Sequence, residues 1–158
     1  MRVCRPLFLE GALPRRELAC LPGRTVLVKG FTGLAMDLSE FNEAQRQGLL
    51  DLLVITMYLD RHLGADEDAR VRRLLVAMGA ENPYDRERLF KDSVNRVRPH
   101  ADNPDMVKRH AVKLGRLFKT QSQCRQVCAL LEELIACDGE VTPVEKEFMD
   151  TLRDAFQV

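Results

Sequence analysis

The 158-residue chain contains no Trp, only two Tyr and seven Phe, and aromatic residues make up just 6% of it. Its core must therefore come from Leu, Val, Ile, Met and Ala. That palette favours helices over a sheet sandwich, because strands are enriched in aromatic and β-branched side chains. A long apolar run is also missing. The longest, Leu49 to Leu59, is broken by Asp51 and falls short of the roughly 20 residues a bilayer requires, so membrane insertion is not expected. Near the N-terminus the only apolar island is Leu7, Phe8 and Leu9, between Pro6 and Glu10, and it makes no export signal. Without such a signal the five cysteines, an odd number, read as reduced thiols in a cytoplasmic protein rather than as a disulfide framework. Net charge is absent too, at +0.

The neutral total hides an uneven distribution. Residues 37–68 carry eight acids against two bases, residues 120–158 carry eight against three, and residues 84–119 carry ten bases against five acids. A chain of this length can bury a genuine core within one domain, and its 46% hydrophobic content is too high for disorder.

Residues 1–36 read as an N-terminal arm. Pro6, Gly11, Pro14, Pro22, Gly23, Gly30 and Gly33 interrupt any helical period, and Leu7–Leu9 with Thr25–Lys29 could pair as a short β-hairpin. From residue 37 to 158 the pattern is helical. Apolar residues recur at three- and four-residue steps from Phe41 to Leu59, after a cap at Ser39 or Asn42, and other apolar residues fill the remaining faces, as in a central, buried helix. A second helix is expected from about Asp66 to Met78, stopped by Gly79. Asn82-Pro83 opens a third, expected to stop before Pro99, and Asn103-Pro104 opens a fourth. Thr120-Gln-Ser-Gln123 and Thr142-Pro-Val-Glu145 read as capping boxes for a fifth and a sixth. The expected fold is an all-α bundle of about six helices.

The chain also repeats itself at an offset of 78 residues. Leu52-Leu53 falls on Leu130-Leu131, Asp60 on Asp138, Leu63 on Val141, Glu67 on Glu145, and Val71 and Leu74 on Met149 and Leu152. Each unit is a buried helix ending in Asp, a six-residue linker, a Glu and an amphipathic helix. Two such units commonly bury their apolar faces on each other about a pseudo-twofold axis.

Two readings of the four acids stay open. In the first they are turn and cap residues: Glu145 closes the Thr142 box, and Asp138-Gly139 opens a loop. In the second, Asp60, Glu67, Asp138 and Glu145 converge to hold a hard divalent cation, Ca²⁺, Mg²⁺ or Mn²⁺, through oxygen ligands. The spacing is not that of an EF-hand, since position twelve counted from Asp138 is Met149, so such an ion would be weakly held.

The segment Leu130–Phe148, LLEELIACDGEVTPVEKEF, resembles the signature of tellurite-resistance TerB-like domains through Asp138, Gly139, Val141, Thr142, Pro143 and Glu145. In the first unit Arg61 stands where the Gly would be and Gly64-Ala65 where the Ser/Thr-Pro would be, so only Asp60, Leu63 and Glu67 match there. The resemblance spans roughly residues 40–158. It implies an all-helical fold of two related halves, a bacterial stress-response or metal-sensing role, and no catalysis. A co-chaperone-like helical module, binding another protein or its own kind with its acids serving only as caps, is the alternative.

Other groups carry less. Cys124 and Cys128 lie one turn apart on an apolar stripe with Val127 and Leu131, as small hydrophobes do. His62, His100 and His110 show no ligand spacing. The basic run from Arg96 to His100, continued by Lys108, Arg109 and Lys113, could meet an acidic partner. It has neither a recognition-helix signature nor aromatics for stacking, so nucleic acid is not expected.

Overall fold

The computed structural model describes residues 38–60, 65–136 and 141–158, with side chains described from residue 68 onward in the second of these segments and up to residue 59 in the first. Among them are six helices and no strand: α1 (Glu43–Asp60), α2 (Ala65–Ala77), α3 (Pro83–Ala101), α4 (Pro104–Gly115), α5 (Gln121–Ile135) and α6 (Pro143–Phe156). The all-α expectation holds. The N-terminal arm and its hairpin fall outside the described residues.

Five of the helices start where short-range chemistry sets them. Asn82, Asn103, Thr120 and Thr142 are extended N-caps whose side chains accept from backbone N–H groups of the first turn, and Pro occupies the first turn of α3, α4 and α6. At α1 the cap is Asn42. Its Oδ1 accepts from Gln45 N–H, while the Asn42 N–H donates to Gln45 Oε1, both at 2.9 Å. After α2, Gly79 adopts φ +95°, and the Ala80 N–H reaches back to the Leu75 carbonyl at 3.0 Å, closing the helix as expected.

One stop is displaced. Helix α3 does not end before Pro99 but runs through it to Ala101. A proline this close to a helix C-terminus forfeits a single intrahelical bond, and the last turn still packs on α4 through the His100 ring against His110.

Helix α1 touches every other helix. Leu49, Leu50, Leu52, Leu53, Val54 and Ile55 are all buried, so its apolar residues on every face each find a partner. Residues matched at the 78-residue offset share this fate: Leu52, Leu53, Val71 and Leu74 are buried, as are Leu130, Leu131, Met149 and Leu152. The helix starts match as well, Glu43 with Gln121 and Ala65 with Pro143. Two glycines allow close approach. A Cβ on Gly48 would stand 2.6 Å from Leu117 Cδ1, and one on Gly115 would stand 2.8 Å from Phe156 Cε1, where α4 meets α6.

Candidate functional site

Of the four acids nominated from sequence, Glu145 is described in full. It is the third residue of α6 and only 3% exposed. Its Oε2 accepts from both the Thr142 N–H and the Thr142 hydroxyl at 2.8 Å, and the Glu145 N–H donates to Thr142 Oγ1 at 3.3 Å. The capping box expected from Thr142-Pro-Val-Glu145 is complete. Asp60 is the last residue of α1 and Glu67 the third of α2, while Asp138 lies outside the described residues. Glu67 and Glu145 thus occupy equivalent first-turn positions, where the free N–H groups of a helix favour an anion and repel a cation. No group of three or more His, Cys, Asp or Glu able to hold a metal occurs among the described residues.

The second box, at Thr120, is only half formed. The Gln123 N–H donates to Thr120 Oγ1 at 3.1 Å, but Gln123 Oε1 turns to the Lys119 N–H at 3.0 Å and to Gln45 Nε2 at 3.2 Å. Gln45 and Gln123 stand 78 residues apart, the offset of the repeat, and each is third in its helix. Their amides donate crosswise. Gln45 Nε2 reaches the Leu117 carbonyl at 2.8 Å, ahead of α5, and Gln123 Nε2 reaches the Glu40 carbonyl at 3.0 Å, ahead of α1. Both side chains are buried and have their polar groups satisfied. Sequence reasoning missed this pair, although extending the repeat seven residues upstream of Leu52 would have laid Gln on Gln.

A second buried polar group joins α1 to α3. Asp51 is 4% exposed and takes the Arg96 guanidinium on both oxygens, with Nη2 to Oδ1 at 2.8 Å and Nε to Oδ2 at 2.9 Å. The Ser93 hydroxyl donates to Oδ1 at 2.6 Å. The hydrogen bond to Asp51 holds the Arg96 guanidinium above its ordinary pKa, against the opposing effect of burial. One turn on from Arg96, the His100 ring stacks on His110 of α4, with centroids 4.2 Å apart and planes 24° apart. His110 Nε2 is buried without a hydrogen-bond partner among the described residues.

Burial, together with the neighbouring His100 and Lys113, pulls the His110 pKa below 6.5, and Asp51 opposes this only in part. Because the folded value lies below the unfolded one, the unfolded chain takes up this proton first. The His110 contribution is therefore intact above about pH 6.5 and is lost as pH falls through the folded pKa. Melting temperature should fall between about pH 7.5 and 5.5, and His110→Phe should flatten that slope. Identical slopes in the two proteins would assign the dependence to other groups.

Cys124 and Cys128 are free and buried, and burial first, then Glu132, pushes the Cys128 thiol to about 11. At neutral pH it is a packed thiol rather than a nucleophile.

One side of α4 is basic, while the exposed Asp105 stands in its first turn. An open groove of about 410 Å³ has Lys108, Arg109, Val112, Lys113 and Arg116 as its described border. Lys108 pairs with Glu147 of α6 at 2.5 Å; Arg109, Lys113 and Arg116 are exposed and make no ion pair among the described residues. No described helix is long and apolar enough to cross a membrane. Comparison of the chain with protein-family models, with curated proteins and with solved structures found no match.

Proposed function

We propose that this chain is a non-catalytic helical binding module of the TerB-like kind, that its acidic turns serve the fold, and that its ligand is another protein. The Glu145 carboxylate carries this reading. It is buried, and one of its oxygens is committed to two donors of Thr142. A cation could recruit both carboxylate oxygens only by opening the cap, at a cost of about 1 kcal/mol, and in either case it would sit against the positive end of α6. The co-chaperone-like alternative is therefore preferred to cation sensing through Asp60, Glu67, Asp138 and Glu145. The two repeat units are proposed to face each other across a pseudo-twofold axis near the Gln45–Gln123 amide pair, a reading supported by the matched helix starts and the crosswise donations. The buried free thiols fit a reducing, cytoplasmic setting.

Thermal melts with and without Ca²⁺, Mg²⁺ or Mn²⁺ at about millimolar concentration test this. Thr142→Ala should lower the melting temperature by about 2–4 °C in every medium, and no ion should raise that of the wild type. Stabilisation by an ion that disappears in an Asp138→Ala, Glu145→Ala double variant would restore the metal-binding reading.

A further inference from the structure

The basic face of α4 belongs neither to the core nor to the caps. Met106, Arg109, Lys113 and Arg116 recur at steps of three, four and three, which places them along one stripe of the helix. The stripe is about 15 Å long. Met106, at its start, is 41% exposed, and the three cations after it are exposed as well. The opposite face holds Val107, Ala111 and Gly115 in the core, so the stripe is fixed in orientation. Like charges at these spacings disfavour an isolated helix; Asp105, four residues before Arg109, offsets this at one end, and no acid of the described body forms an ion pair with Arg109, Lys113 or Arg116.

We infer that this stripe is the docking surface of the module, and that its partner is an acidic polypeptide segment whose carboxylates meet Arg109, Lys113 and Arg116 while an apolar side chain at one end covers Met106. The inference rests on the binding-module reading and names its surface. Charge complementarity selects the occupant. A second copy of the chain is a weaker one: Glu132, Glu133, Glu147 and Asp150 are held by Arg153, Arg70 and Lys108, and exposed acids outside those ion pairs, such as Glu43, Glu87, Asp92 and Asp154, are spread over three helices. A nucleic acid is poorer still. Three cations on a short stripe, without an ion pair among the described residues, fall below the roughly 6–10 phosphate contacts of a duplex binder, and the stripe offers no aromatic ring for a base. A protein segment needs only a few carboxylates, and Arg provides the fork that grips them.

The full chain is titrated into a fluorescein-labelled helical peptide of about 16 residues, with Glu three and four apart and Leu at one end, at about 0.15 M salt. The expected result is saturable binding that weakens about tenfold or more in an Arg109→Glu, Lys113→Glu double variant. It should change less than about twofold in Arg125→Glu, an exposed cation of α5. Each variant is first shown to keep the wild-type melting temperature. No binding, or equal loss in both variants, overturns the proposal. Tighter binding of a single-stranded oligonucleotide of equal charge, or self-association that competes with the peptide, overturns it in favour of those occupants. The ion melts described above test the module reading separately: a bound cation with no peptide binding removes both, whereas no cation and no peptide binding removes the α4 surface alone.

Discussion

Arg96→Met is expected to destabilise the chain by about 2–4 kcal/mol, more than removing both members of its ion pair together. The asymmetry follows from where the two charges lie. The Asp51 side chain is 5% exposed, while that of Arg96 is 40% exposed. Losing Arg96 strands a buried carboxylate among the leucines of α1 with the Ser93 hydroxyl as its one remaining donor among the described residues. Losing Asp51 strands a guanidinium that can turn to water, so Asp51→Leu should cost less. In the Asp51→Leu, Arg96→Met double variant no charge is left, and the Ser93 hydroxyl can fall back on the carbonyl one turn earlier in α3. That protein should recover to within about 1.5 kcal/mol of the wild type. Urea unfolding followed by circular dichroism measures all three. If the double variant is no better than Arg96→Met, the pair is not the source of the loss.

Gln123→Ala is expected to cost about 2–3 kcal/mol, unusually large for one polar side chain. Its amide oxygen serves both Gln45 Nε2 and the Lys119 N–H, and its amide nitrogen serves the Glu40 carbonyl. Truncation leaves buried donors and acceptors unpaired, and each unpaired group costs about 1 kcal/mol or more. Gln45→Ala should cost a similar amount, since Gln45 answers both the Asn42 N–H and the Leu117 carbonyl. The two losses should not add. A coupling of about 1 kcal/mol in the double-mutant cycle is expected, because the direct amide bond is lost only once. Strict additivity would mean that each glutamine acts only on its own turn.

These two clusters show where sequence reasoning reached and where it stopped. Asn82-Pro83, Asn103-Pro104 and Thr142-Pro143 placed helix starts correctly because capping is decided within four residues. Pro99 misled because its cost depends on how much helix remains after it, a tertiary matter. Asp51 read as a mere break in an apolar run. Its partner Arg96 lies 45 residues away and read as one more member of a basic run. The Gln45–Gln123 bridge was latent in the 78-residue repeat, yet glutamine is too common at first-turn positions to announce a buried role. Glu145 was legible as a cap because its donor lies three residues away. Of the acids proposed to join it, Asp60 and Glu67 came from a distant segment, and a local pattern says nothing about such convergence.

The glutamine bridge also sets a clock on synthesis. Helix α1 leaves the ribosome with apolar residues on nearly every face, but Gln123, the partner of Gln45 and of the Glu40 carbonyl, is made 78 positions after Gln45. At about 5–20 residues per second that interval is roughly 4–16 s. During it α1 has α3, joined through Asp51 and Arg96, and α4 to lean on, while the Gln123 partner of Gln45 and the faces meant for α5 and α6 await the last quarter of the sequence. The nascent protein is thus sticky late, and only arrival of the second repeat unit closes it.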